Sequence, residues 1–177
     1  MQADILIDEL IQIIQIQIHQ AEMFKKLSIQ KLNQKNNPNS WSILECIEHL
    51  NLYGTFYLPE IEKQIEKSIY PPSPIFKSGI LGNYFAKSML PSKKMKKMNT
   101  FADKNPVGSQ LDESVIDRFI FQEKKMIHLL NQARNISLSK TKTAISISKW
   151  IRLRLGDTFR FVINHNTRHI AQAKQLT

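Results

Sequence analysis

Apolar side chains recur at three- and four-residue steps along four long stretches of this sequence, which predicts four main helices. The first stretch, 4–32, contains neither glycine nor proline, so we expect one long helix there. Part of it, between Ile11 and Ile18, also alternates as a strand would, but the uninterrupted length favours the helical period. The segment 33–39, which includes Pro38, ends this helix.

A capping box marks the start of the second helix. Ser42 is followed three residues later by Glu45, so the serine oxygen can accept an early backbone N–H while the glutamate reaches back to the cap. Helical spacing then continues toward Ser68, and the proline cluster of 71–74 stops it. We therefore predict a second long helix from about 42 to 68.

The rest of the chain divides into an irregular third and two further helices. Residues 75–107 are predicted to form a long connection that contains one short helix around 80–89. Helical spacing returns at 111–133, and the polar segment 137–149 is expected to be a linker. The last helix should span about 155–175.

Composition supports a helical fold in a single domain. The 177 residues include only five glycines and seven prolines, too few for the frequent turns of a sandwich or barrel. This length is sufficient for one domain with its own core. We predict an all-α fold over 1–177, a four-helix bundle with a long crossover connection.

Charge and cysteine content narrow the choice of partners. The net charge of +10 raises nucleic acid as a partner, but no helix-turn-helix or zinc-finger spacing is present, so nucleic-acid binding ranks last. The densest basic run, Lys93, Lys94, Lys96 and Lys97, falls in a turn-rich segment. With Cys46 alone no internal disulfide can form, and no apolar run reaches the length of a membrane helix. We expect a cytoplasmic protein without a membrane partner.

Two histidines of the last predicted helix are candidate metal ligands. His165 and His169 are four residues apart, so their rings lie on one helix face and could chelate one ion. Alone this spacing is a weak signal, because such pairs often only pack or face solvent. Here the pair is aligned with Leu155 and Val162 on the core-facing side, where unbound imidazoles are costly.

A third histidine makes the chain resemble a known family. His49 lies within a Trp-Ser, Glu, His-Leu pattern that begins at Trp41, and residues 165–172 read His-x-x-Arg-His-x-x-Gln. Together these motifs resemble the DinB/YfiT superfamily of small bacterial proteins, and the resemblance covers essentially the whole chain. It implies a four-helix bundle in which His49, His165 and His169 hold a divalent ion, commonly nickel or zinc.

The resemblance also implies a type of chemistry. Relatives with an assigned activity are metal-dependent hydrolases, or S-transferases that use low-molecular-weight thiols such as bacillithiol or mycothiol. We therefore expect a divalent metal cofactor, a small-molecule substrate and, for a transferase, a thiol co-substrate. Three neutral imidazoles leave a coordination position where the ion lowers the pKa of a water or a thiol. The sequence does not decide between these two reactions.

Four neighbours of the histidines are candidates for supporting roles, and each also has a plainer interpretation. Glu45 could orient His49, although the capping box already accounts for it. Tyr53 could line a pocket above the ion or only pack in the core. Arg168 and Gln172 could hold an anionic substrate or fix a ligand ring, and Arg168 could equally form a surface ion pair.

Two classes of function remain open. One is a metal-dependent enzyme that activates a thiol or water; the other is a non-catalytic helical bundle that binds a ligand or partner and keeps a structural or vestigial metal. An open coordination position facing a cleft would favour the enzyme, and a fourth protein ligand would favour the bundle. Broad apolar helix faces also lead us to expect a homodimer.

Overall fold

The computed structural model describes residues 1–38, 40–90, 100–146 and 148–177, and these are mostly helical, as predicted. Four of the helices in these ranges, α1, α3, α5 and α6 below, have 20 residues or more. The helices are α1 (Ala3–Phe24), α2 (Ile29–Asn33), α3 (Ile43–Glu66), α4 (Ile80–Ser88), α5 (Ser114–Ala133) and α6 (Leu155–Lys174). The lysine run at 93–97 lies outside the described residues.

A side-chain cap marks the predicted start of α3. The capping box of α3 is confirmed, because Ser42 Oγ accepts the backbone N–H of Glu45 at 3.2 Å and Glu45 Oε2 accepts that of Ser42 at 2.9 Å. The single helix predicted over 4–32 is wrong in its second half. There α1 ends at Phe24, and Ser28 caps the separate helix α2 by accepting the N–H of Lys31.

A strand pair corrects the all-α prediction. Part of the segment predicted as a polar linker forms β1 (Lys142–Ile145), which pairs antiparallel with β2 (Ser148–Arg154). Thr143 lies opposite Leu153 and both are buried, so the hairpin covers the core with alternate side chains. Strand β2 leads directly into α6, and this connection sets where α6 begins.

The four long helices pack in neighbouring pairs. Helix α3 contacts α5 and α6, helix α1 contacts the same two helices, and α4 lies against α6. Their buried side chains form two apolar clusters. The lower cluster includes Ile14, Tyr57, Leu129 and Phe159. The upper cluster includes Ala21, Ile47, Phe119 and Ile170.

Chain direction follows from these clusters. Helices α1 and α6 run from the lower to the upper cluster, whereas α3 and α5 run from the upper to the lower one. The chain must therefore return along the length of a helix between the end of α3 and the start of α5, which explains the long connection between them. Among the described residues, no helix has both the length and the hydrophobicity that crossing a membrane requires.

Candidate metal centre

The structure brings the three predicted ligands together. His49 lies in α3 and His165 and His169 lie one turn apart in α6, and these two helices pack against each other. One ring nitrogen from each histidine lies within 4.8 Å of the other two. The Nε2 atoms of His49 and His165 are 3.2 Å apart.

Hydrogen bonds decide which nitrogen of each ring is available. His49 Nδ1 donates to the backbone carbonyl of Lys104 at 2.7 Å, and His169 Nδ1 donates to Gln172 Oε1 at 3.0 Å. A neutral imidazole with a proton on Nδ1 keeps a lone pair on Nε2. His165 Nδ1 is buried and has no hydrogen-bond partner among the described residues. At least two of the rings are therefore held with Nε2 free to bind an ion.

Burial keeps these rings uncharged. His49 and His165 are 3% and 6% exposed, and His169 is partly buried. Burial lowers the pKa of His49 to about 4 and that of His169 to about 3. It also lowers the pKa of His165 well below its ordinary value, and the two neighbouring histidines add to the effect. At neutral pH all three are in the neutral form that coordinates a metal.

The donor set fits a divalent ion. Two imidazole nitrogens bound to one zinc at about 2.0–2.1 Å stand roughly 3.3–3.4 Å apart at tetrahedral angles, close to the 3.2 Å between His49 and His165 Nε2. Without a proton or a cation between them, two lone pairs at that distance repel. Imidazole ligands suit zinc, nickel, copper and iron, so the residues present fit the predicted nickel or zinc.

Aromatic rings enclose the histidines. The Trp41 ring lies 4.7 Å from that of His49 and 5.6 Å from that of His169. Tyr53 lies 4.9 Å from His49 and 4.6 Å from His165, and burial raises the pKa of its hydroxyl to about 12. These rings limit water around the ligands, which strengthens electrostatic interactions at the site.

The predicted supporting residues separate into three groups. Gln172 holds a ligand ring, and Tyr53 packs directly against two of them. Arg168 is buried at 9% exposure rather than on the surface, and its charge helps to lower the pKa of His165 and His169, after burial and the neighbouring histidines. Glu45 bonds the Ser42 cap and Lys35 Nζ, so the cap accounts for it and the Lys104 carbonyl orients His49 instead.

Two contributors to the site were missed by the sequence reasoning. The Lys104 carbonyl is a backbone atom in a 3-10 turn, Ala102–Lys104, so no side chain could have revealed it. Trp41 was visible as the start of the Trp-Ser pattern, but we read it as a motif marker rather than as a wall of the site. The available signal was an aromatic residue just before α3, the helix that carries His49.

Comparison with known proteins is consistent with this geometry. A family model described as the DinB superfamily matches residues 19–173, which include all three histidines. Neither the curated proteins nor the solved structures contain a match to the chain.

Proposed function

Because the chain belongs to the DinB superfamily, we propose that it is a metal-dependent enzyme whose ion, nickel or zinc, is held by His49, His165 and His169. The observation that carries the proposal is the convergence of three neutral imidazoles from α3 and α6 within 4.8 Å. Without an ion, the burial of these imidazoles is costly, because burial removes the water that would hydrogen-bond their ring nitrogens.

The residues of this chain would prepare the site for its ion. The Lys104 carbonyl and the Gln172 amide fix two rings with Nε2 exposed to the site, so little reorganisation is needed on binding. Trp41 and Tyr53 restrict the space beside the ligands. An ion bound by three neutral histidines retains a position for a further ligand and lowers the pKa of a water or thiol placed there.

We further propose a small-molecule substrate and either a low-molecular-weight thiol or water as the nucleophile. A thiol makes the protein an S-transferase, and water makes it a hydrolase. We interpret the four long helices as a four-helix bundle with a long crossover between α3 and α5. A cytoplasmic homodimer remains part of this proposal.

Metal analysis of protein purified without a histidine tag tests the site. We expect about one divalent ion per chain in the wild type and its loss in His165→Ala. His128→Ala is the matched control, because His128 is an exposed histidine of α5 outside the site, and it should keep the ion. Equal metal content in the wild type and His165→Ala would show that the ligands are wrong.

Activity is tested with the metal-loaded protein. Low-molecular-weight thiols are supplied with an electrophile, and ester or amide substrates are supplied without a thiol. If the wild type consumes thiol and His165→Ala does not, the result supports the transferase. If the wild type hydrolyses an ester or amide and His165→Ala does not, it supports the hydrolase. Metal binding with no turnover in either assay would favour a structural ion in a non-catalytic bundle.

A further inference from the structure

A layer of buried polar side chains separates the lower cluster from the upper cluster. Each of the four long helices contributes one residue, at the point where its buried apolar residues pass from one cluster to the other. In α1, for example, Gln17 lies between Ile14 and Ala21. The members of this polar layer are Gln17, Asn51, Glu123 and Asn166, and none is more than 5% exposed.

Each side chain of the polar layer keeps one oxygen without a hydrogen-bond partner among the described residues. Both amide N–H groups of Gln17 and of Asn51 already donate elsewhere, and so does one N–H of Asn166. Their bonds include Gln17 Nε2 to Ile163 O at 2.9 Å, Asn51 Nδ2 to Val115 O at 2.9 Å and Asn166 Nδ2 to Glu123 Oε1 at 2.7 Å. The atoms that remain are oxygens: Gln17 Oε1, Asn51 Oδ1, Glu123 Oε2 and Asn166 Oδ1.

The layer cannot satisfy these oxygens by itself. Burial raises the pKa of Glu123 to about 8, so its carboxyl carries a proton at neutral pH and offers one O–H donor. If that O–H and the second N–H of Asn166 each bond one of the three amide oxygens, one oxygen still lacks a donor. Buried acceptors without donors lose their bonds to solvent, and folded proteins commonly satisfy such groups with internal water.

A fifth buried atom without a partner in the described ranges is Nδ1 of His165, which precedes Asn166 in α6. The other two histidines of the site have an acceptor for Nδ1, but this one has none. If His165 binds the ion through Nε2, its Nδ1 carries hydrogen and needs an acceptor. Water can accept this N–H and donate to two oxygens, whereas a cation would be repelled by it.

We propose that the polar layer holds internal water, and that this water accepts the Nδ1–H of His165 and hydrogen-bonds the Glu123 carboxyl. Glu123 is then a positioning residue for His165, because it orients the ring through the water. The statement about His165 as a ligand rests on the proposed function, whereas the hydration of the layer does not.

The first test is a high-resolution crystal structure of the metal-free wild type. We expect at least one ordered water within hydrogen-bond distance of His165 Nδ1, of Glu123 and of an amide oxygen of the layer. A dry layer in which the side chains satisfy one another overturns the proposal. If the polar layer contains water but the protein binds no metal, the water site is supported and only the proposed metal centre is contradicted.

The second test measures the positioning role of Glu123. Nitrogen NMR of the histidine rings in the zinc-loaded protein should show the Nδ1–H of His165 with the chemical shift of a hydrogen-bonded proton. Glu123→Met removes the carboxyl at similar volume, so we expect this chemical shift to change and the Kd for zinc or nickel to rise roughly 10- to 100-fold. A variant that matches the wild type in both measurements refutes the positioning role.

Leu130→Ala is the matched control for Glu123→Met. It leaves a cavity in the lower cluster from the same helix, so it loses stability while the polar layer stays intact. We expect the chemical shift of its His165 Nδ1–H and its metal affinity to equal those of the wild type. If Glu123→Met does not fold, Glu123→Gln tests the water site instead, because its amide can hydrogen-bond the same water. A crystal structure of Glu123→Gln without this water overturns the proposal.

Discussion

At the scale of single residues, one hydrogen bond sets which ring nitrogen of His49 and of His169 is available to an ion. The five histidines of the chain include two exposed ones, His19 and His128, that have no role in the site. His49 and His169 differ from these because burial removes their charge and an acceptor at Nδ1 directs Nε2 toward the other rings. Whether a histidine can bind a metal therefore depends less on its residue type than on its burial and on the hydrogen-bond partner of its second ring nitrogen.

Glu123 gives the protein an unusual pH dependence of stability. Its pKa is raised by burial from 4.5 to about 8 in the folded state. Between these values the native protein holds a proton that the unfolded chain has released. The free energy of unfolding therefore falls as pH rises, by up to about 1.4 kcal/mol per pH unit, and levels off above the folded pKa.

Urea unfolding of the metal-free protein between pH 7.5 and 8.5 measures this effect. In that window the site histidines are largely neutral in both states, since their ordinary pKa is 6.5 and burial lowers it further in the fold. We expect the wild-type midpoint to fall across the series and that of Glu123→Gln to stay level. A level wild-type profile would contradict a buried protonated carboxyl.

At the scale of elements, α4 is held on α6 by one buried carboxylate. Asp157, at 0% exposure, accepts the backbone N–H of Gly79 at 2.7 Å and is hydrogen-bonded by the hydroxyl of Ser78, directly before α4 begins. Further along, Asn164 Nδ2 donates to the carbonyl of Ala86 at 2.9 Å. Asp157 thus fixes the short helix of the long connection.

Gly82→Ala tests this docking. A Cβ at residue 82 would lie 2.5 Å from Asp157 Cβ and 2.6 Å from its Cγ, and the bonds to Ser78 and Gly79 prevent Asp157 from moving aside. We expect a loss of about 1–3 kcal/mol in the free energy of unfolding, measured by urea denaturation.

Gly54→Ala is the control for Gly82→Ala, because both glycines are helical and gain the same propensity. Its Cβ would meet only the end of the flexible Gln122 side chain, which can rotate away. Its stability should stay within about 1 kcal/mol of the wild type. Equal losses in the two variants would mean that Asp157 does not anchor α4.

At the scale of the whole molecule, the metal centre joins parts of the chain that are far apart in sequence. His49 and His165 are 116 residues apart, and the proposed ion between them would link α3 to α6. The proposed ion binds the folded chain, in which the three ligands converge, far better than the unfolded one. Metal binding therefore adds to the stability of the whole fold.

Thermal unfolding measures this linkage. At a free metal concentration about 100-fold above Kd, the Tm should rise by roughly 5–10 °C, and a chelator should reverse the rise. His169→Ala removes one ligand, so its Tm should respond little to zinc or nickel. An identical rise in this variant would place the ion elsewhere.

Local signals in the sequence predicted most of the helices. The apolar spacing of α5 and α6 and the capping box of α3 act within a few residues, so these elements could be read without the fold. The strand pair β1–β2 was missed although Ile151 and Leu153 alternate with arginines as in a half-buried strand, because the neighbouring polar run 137–149 resembled a linker.

By itself, the sequence determined the helical character of the chain and the pairing of His165 with His169, since both depend on residue type and spacing, whereas His49 was added as a ligand by the family resemblance. Only the tertiary structure decided that His49 meets His165, that the Lys104 carbonyl orients His49, and that four polar residues form a layer between two apolar clusters. These arrangements join distant segments through packing and backbone atoms, and no local pattern of side chains encodes such contacts.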